Sequence, residues 1–288
     1  ARSRAPAWSC YWASRSLDTP FITTFHGAYG HQNALKRVYN SVMLKSHTVI
    51  AVSDFIAQHI SMVYPSSKHP IKVIHRGIDT ELFASSNSVD ARTNTLRMQW
   101  HIPTNKTIIL LPGRLTRLKG HRTFIEAIAQ LDTSNIMCLI VGDHHGNLNY
   151  QQELKTLIHK HNLEKVIHLV GGCHDMPAAY GLANIVVSAS VKPESFGRTV
   201  CEAQAMNCFV VATNHGGTKE VLSPCQQDFV CEPRNSDSMS KALNEALNRL
   251  KQTQGKCFIE SRKYIEANFT LDKMCQDTLA VYQNAHTH

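Results

Sequence analysis

The chain has 288 residues, 43% of them hydrophobic, with 30 Lys and Arg against 22 Asp and Glu, a net charge of +8. That length holds one large or two medium domains, and that apolar share excludes wholesale disorder. The positive balance favours an anionic partner, whether a phosphorylated small molecule, an anionic lipid surface or nucleic acid, without choosing among them.

No apolar run approaches the ~20 residues of a membrane-spanning helix. Nine cysteines are scattered without a C-x-x-C pair. They read as reduced thiols that pack as small apolar groups in a cytosolic protein. No RNP-like, zinc-finger or basic-helix signature supports nucleic acid as the partner.

In chain order, "PFITTFHG" (20–27) predicts a strand ending at a Gly turn, with His26 at its end. "HTVIAVS" (47–53) predicts the next strand, and Ser53 and Asp54 are candidate caps for the helix "DFIAQHISMVY". "IKVIHRGI" (71–78) is a third strand. An irregular polar stretch follows, and residues 85–103 read as a linker. A second series then opens with the strand "KTIILLPGR" and a helix with Phe124, Ile125, Ile128 and Leu131 on one face. "IMCLIVGD", "VIHLVGG", "ANIVVSAS", "CFVVATN" and "DFVCEP" read as further strands, separated by helices near 150–161, 176–182, 199–206, 217–222 and 236–250.

Near-continuous Val, Ile and Leu runs mark strands buried on both faces, and their alternation with helices marks parallel sheets. The fold class is therefore α/β, with two Rossmann-like units. Ligands of such sheets sit at the carboxyl ends of the strands, where His26, Ser53, Arg76, Arg114, Gly142, Ser188 and Gly216 fall. The first unit shows only about three strands. Such a half-sheet leaves an apolar edge, so either the chain is truncated at its start or something else covers that edge.

Four stretches carry chemistry. In "KPESFGRTVCEAQAMN", Glu194 precedes a helix that opens near Phe196 and Gly197, and Glu202 lies one to two turns inside it. The first-turn N–H groups attract anions, and Gly197 lets a ligand approach the backbone. A phosphate flanked by two carboxylates that accept from hydroxyls describes a nucleotide sugar. The spacing alone fits equally a helix with one capping-region Glu and one solvated Glu.

"GRLTRLKG" places Arg114 and Lys119 on a short loop between glycines. Two cations there could bind a leaving diphosphate or be a solvated surface, and Arg117 reads as the solvated one. The loop is not a P-loop. His26 in "TFHGAYG" could meet a sugar hydroxyl or be structural. Gly216 in "NHGGTKEVL" could shape a sugar pocket or be a tight turn. His144 and His145 in "GDHHGN" read as surface residues, because no acidic or Cys partner sits at metal-ligand spacing.

Taken together, these stretches resemble the retaining glycosyltransferases of family 4, with the GT-B fold. The carrying residues are Glu194 and Glu202 of the E-x7-E pair, Arg114 and Lys119 of the "GR…KG" loop, "TFHG", "IAVSDFI", "VIHRGIDTELF" and "NHGGTKEVL". The resemblance runs from about Pro20 to the end and is nearest in flavour to lipopolysaccharide-core and other envelope sugar transferases.

It implies two Rossmann-like domains with parallel sheets, the N-terminal one incomplete. Residues 1–84 would be a partial acceptor-side domain and 85–103 a linker. Residues 104–262 would be the nucleotide-sugar domain, and 263–288 a helix crossing back to the first domain. The resemblance implies that Arg114 and Lys119 hold the donor diphosphate. Glu194 would contact the transferred sugar and Glu202 the ribose. Phe196, Gly197, Arg198 and Thr199 would offer backbone N–H groups, with Gly216 beside the donor and His26 meeting its sugar.

The implied reaction moves a sugar from a nucleotide-diphosphate sugar to a hydroxyl of a glycan or glycolipid, with retention and no cofactor or metal. No D-x-D motif occurs. A phosphorylase of similar fold would need a pyridoxal-bearing lysine, and nothing marks one. The expected location is cytoplasmic, peripheral at the anionic inner face of the membrane. The family's Gly-rich loop after the first strand has no counterpart here. A truncated, non-catalytic nucleotide-sugar binder is therefore the alternative.

Overall fold

The computed structural model describes residues 1–30, 33–65, 69–144, 146–253 and 256–286. It forms two compact units, one of Ala1–Gly77, Glu194–Gly197 and Phe269–His288, the other of Ile78–Pro193 and Arg198–Asn268. His145 lies outside the described residues.

Unit 1 runs α1 (Arg4–Ser16), β1 (Ile22–Phe25), α2 (Ala34–Asn40), β2 (Thr48–Ala51), α3 (Asp54–Val63) and β3 (Ile71–Val73). Its three strands pair parallel in the order β1-β2-β3, with Thr24 beside Ile50 and Ile50 beside Lys72. The Ser53 hydroxyl accepts from the Ile56 N–H at 3.1 Å and caps α3, with Asp54 in its first turn. At the outer edge of β1 the Ala1 backbone pairs with Ile22 and Thr24, at 2.5 and 2.9 Å. Helix α1 escapes a sequence reading because its apolar stripe is thin. Ala7, Trp8 and Tyr11 pack against Phe21, Phe25, Val42 and Met43.

Unit 2 opens with α4 (Asn87–Gln99), inside the segment expected to be a linker. Ser86 caps it, and Val89, Thr93 and Leu96 form its buried stripe at helical spacing. Then come β4 (Thr107–Pro112), α5 (His121–Ile128), β5 (Ile136–Val141), α6 (Leu148–Lys160), β6 (Ile167–Gly171), α7 (Met176–Leu182) and β7 (Ile185–Ser188). The unit closes with α8 (Arg198–Ala205), β8 (Phe209–Thr213), α9 (Thr218–Val221), β9 (Val230–Cys231), α10 (Ser236–Thr253) and α11 (Lys256–Asn268).

Helix α4 packs on α7. Arg92 donates to both Asp175 oxygens, at 2.9 and 2.8 Å, and the Thr93 hydroxyl donates to the Ala178 carbonyl at 3.3 Å. The irregular linker is therefore corrected to an amphipathic helix of unit 2.

The six strands of unit 2 are all parallel, in the order β6-β5-β4-β7-β8-β9. The chain winds outward from β4 on one side and from β7 on the other, so the switch point lies between them. One core of Ile109, Leu111, Phe124, Ile140, Val187 and Phe209, among others, is sealed by α5, α6 and α10. Arg262 of α11 donates to the carbonyls of Phe83 at 2.8 Å, Ala205 at 2.5 Å and Thr80 at 3.1 Å.

The last helix, α12 (Leu271–His286), belongs to unit 1, where Val281 and Met274 pack on Ile50 and Ile74. The change of unit falls at 269 rather than 263, since α11 stays with unit 2. The eight cysteines with described side chains are all free. Among the described residues no helix is long and apolar enough to cross a membrane.

Candidate functional site

The carboxyl ends of β4 and β7 flank the switch point of unit 2, and the loop Gly113–Gly120 leaves from β4. The loop is pinned to its neighbours by backbone. Leu115 N–H donates to the Asp143 carbonyl at 3.0 Å, Gly113 N–H to Val141 at 2.8 Å, and Val191 N–H to Leu118 at 2.8 Å. Gly120 has φ +72°, and a Cβ there would stand 1.9 Å from the Ala189 carbonyl oxygen. Only glycine fits such a contact in the left-handed region. Gly142 is equally pressed, 1.9 Å from the Gly113 oxygen.

The loop's cations differ in surroundings. Arg117 pairs with Glu153 at 2.6 Å and lies over the Tyr150 ring, as expected of the solvated member. Arg114 is exposed and has no carboxylate partner among the described residues. Lys119 is half-buried, with its stem packed over Gly113. A rigid loop holding an uncompensated guanidinium at a sheet's switch point suits an anion.

Glu202 sits in α8 with only 10% of its side chain exposed. Its two oxygens accept from different donors, Oε2 from the Tyr180 hydroxyl at 2.9 Å and Oε1 from Arg198 Nε at 2.7 Å. A carboxylate has about four acceptor positions, so two remain for a ligand. Tyr180 is fully buried, and burial, then the Glu202 charge, push its phenol well above its usual value. It stays a neutral donor. Arg198 is 68% exposed and faces Glu202 rather than solvent alone.

At the ends of β7 and β8, Thr213 Oγ1 donates to the Ser190 carbonyl at 3.1 Å, and His215 Nε2 lies 2.8 Å from that same oxygen. This fixes the turn at Gly216, which has φ +66°.

The remaining expected residues belong to unit 1. Phe196 is buried against Phe269 and His75, at ring distances of 5.8 and 6.3 Å. Its side chain is packing, and only its backbone could serve a ligand. The Ser53 hydroxyl donates to the Ser195 carbonyl at 2.5 Å, so the cap of α3 also anchors the Glu194–Gly197 segment. Glu194 is half-buried, and Gly197 has φ +103° just before α8 opens at Arg198. His26 is half-buried, with Arg76 Nη1 2.9 Å from Nδ1 and Arg2 Nε 3.2 Å from Nε2. Burial first, then the charges of Arg76 and Arg2, lower its pKa to about 4, so the ring is neutral near pH 7.

Two residues near these positions, Tyr180 and Arg2, escape a sequence reading, and a third, His121, was passed over. Tyr180 lies in "MPAAYGLAN", where nothing distinguishes it from a core aromatic. Arg2 precedes the first helix. His121 did carry a signal, since His121, Phe124, Ile125 and Ile128 follow the i, i+3, i+4, i+7 pattern of a buried face. The ring is fully buried beneath the Gly113–Gly120 loop, 5.9 Å from Tyr150. Burial lowers its pKa to about 4. The backbone of Gly113 and Thr116 opposes that shift, yet neither ring nitrogen reaches hydrogen-bond geometry with a partner.

Residues 93–264 match the family described as Glycosyl transferases group 1, and residues 1–82 match Glycosyltransferase Family 4. A glycosyltransferase from Rickettsia africae ESF-5 superposes with a TM-score of 0.90 at 36% identity, over 99% of this chain and 75% of that one. HepE of Anabaena, in complex with UDP and glucose, superposes with a TM-score of 0.84 at 23% identity, over 98% of this chain and 76% of its own. Spore coat protein SA of Bacillus subtilis (strain 168) is 23% identical over 96% of this chain and 76% of its own length.

Proposed function

This chain belongs to the group 1, family 4 glycosyltransferases of GT-B fold, and we propose that its donor is a nucleotide-diphosphate sugar held by unit 2. The observation that carries the reading is the exposed Arg114 on the pinned Gly113–Gly120 loop, at the switch point between β4 and β7. The HepE structure, which holds UDP and glucose, supports the same donor class.

In this reading Arg114 and Lys119 bind the diphosphate. The free acceptor positions of Glu202 take the ribose hydroxyls, while Tyr180 and Arg198 hold its carboxylate in place. The backbone N–H groups of Arg198 and Thr199, in the first turn of α8, serve the donor, with the Gly216 turn beside it. Catalysis is electrostatic: cations fixed before the reaction stabilise the diphosphate as the glycosidic bond breaks.

The acceptor is a hydroxyl of a glycan or glycolipid in cell-envelope synthesis, at the cytoplasmic face of a membrane. Transfer proceeds with retention and without a metal. The test follows the released sugar by proton NMR, using UDP-glucose as donor and water as acceptor. First release in the donor's anomeric configuration agrees with retention, and first release of the opposite anomer overturns it. Full activity only on adding a divalent ion, abolished by EDTA, overturns the metal-free part.

A further inference from the structure

We propose that His121 is a positioning residue of the donor site, an uncharged support beneath the Gly113–Gly120 loop whose ring N–H closes on a loop carbonyl when the diphosphate arrives. The inference rests on the donor site proposed above. His121 is the first residue of α5 and is completely buried. Neither ring nitrogen has a hydrogen-bond partner among the described residues. An unpartnered polar group in a core is destabilising, and a phenylalanine would fill the space without that cost. A partner that arrives with the ligand accounts for a histidine there.

The acceptors are close at hand. The backbone of Gly113 and of Thr116 lies near enough to favour a proton on the ring. Each carbonyl has two lone pairs, and a neutral imidazole has one N–H to give. Tyr150 meets the His121 ring edge-on at 5.9 Å, and α5 starts from Gly120, pressed against the Ala189 carbonyl. Ring and helix start are therefore fixed, and the small movement that completes a bond belongs to the loop. The Lys119 stem packs over Gly113, so the place where Gly113 settles decides where the ammonium stands. A cationic support would repel that lysine, whereas a neutral N–H holds the loop without adding charge. Burial, and after it the Lys119 charge, keep the ring in that neutral form.

Two measurements on the full chain test this. Proton NMR, with the histidine nitrogens labelled, follows the imidazole N–H groups as UDP, GDP and ADP are added. Binding of the nucleotide that the site takes should bring out a slowly exchanging ring N–H that is missing from His121→Gln. Binding without such a signal overturns the proposal on the wild-type chain alone. Calorimetry with the same nucleotides then compares variants, each shown to be folded by its urea midpoint. His121→Phe should weaken binding about fivefold to tenfold, the effect of losing one net hydrogen bond. His121→Asn or His121→Gln, whose amide N–H replaces that of one ring nitrogen, should return affinity to within about threefold of the wild type. A ring that serves only as filling gives the reverse order, with His121→Phe equal to the wild type and both amides weaker, and that order overturns the proposal. Lys119→Ala is measured beside them. Binding weakened by Lys119→Ala but indifferent to His121→Phe sinks this inference and spares the donor site. Binding of none of the three nucleotides removes both.

Discussion

Gly120→Ala tests how the Gly113–Gly120 loop is held. The new Cβ would meet the Ala189 oxygen at 1.9 Å, where real contacts stay beyond 3.0 Å, so loop and strand end must part by about 1 Å. Two costs add. A non-glycine residue at φ +72° costs about 1–2 kcal/mol. Overpacking against rigid backbone costs about 1–3 kcal/mol more. Gly171→Ala separates them, because Gly171 has φ +81° and open space at its Cβ position. Urea unfolding should therefore show a loss of about 2–5 kcal/mol for Gly120→Ala and about 1–2 kcal/mol for Gly171→Ala. Hydrogen exchange of the Val191 amide, bonded to the Leu118 carbonyl, should quicken only in the first variant. Nucleotide affinity should fall with it, since Arg114 and Lys119 ride on the same loop. Equal losses in the two variants, with Val191 exchange unchanged in both, would refute the steric argument.

Tyr180→Phe removes the buried donor to Glu202 Oε2 and should cost about 1.5–3 kcal/mol in urea unfolding, with nucleotide affinity falling as well. An unchanged midpoint would show that the hydroxyl does not hold the carboxylate. Arg262→Ala should cost about 3 kcal/mol by stranding three carbonyls, and Arg262→Lys should restore less than half, because one ammonium cannot span them. Full rescue by lysine would contradict that geometry. His121, with a folded pKa of about 4 against an ordinary 6.5, binds its proton more readily when unfolded. Its contribution is fully present above pH 6.5 and is lost as pH falls toward 4, by up to about 3 kcal/mol. His121→Phe should flatten the stability profile in that window, and an unchanged slope would rule His121 out as its source.

Most strands were legible because unit 2 buries both faces of its sheet, which leaves runs such as "TIILLP" and "IMCLIV" without polar interruption. The helices between them carried caps or one apolar face. Helix α4 was not legible, because Val89, Thr93 and Leu96 stand alone in a polar stretch whose partner, α7, lies far along the chain. Helix α1 failed for the same reason: its partners Phe21, Val42 and Met43 come later and are not periodic with it.

Among site residues, spacing drew attention to Glu202 but not to its tie to Tyr180, a contact between positions 22 residues apart. Nor could it show that the Phe196 side chain is packing, buried against Phe269 and His75. Arg117 was read as the solvated cation, and its side chain is the one paired with Glu153 on the surface.

The central claim is that unit 2 binds a nucleoside diphosphate through Lys119, Arg114 and Glu202. Its most direct test is calorimetric titration of the chain, and of the Glu202→Ala and Lys119→Ala variants, with UDP, GDP and ADP. The account predicts micromolar binding of one nucleotide, weakened at least tenfold by each substitution while both variants stay folded. Binding of none of the three to the folded chain, or binding indifferent to both substitutions, would contradict it.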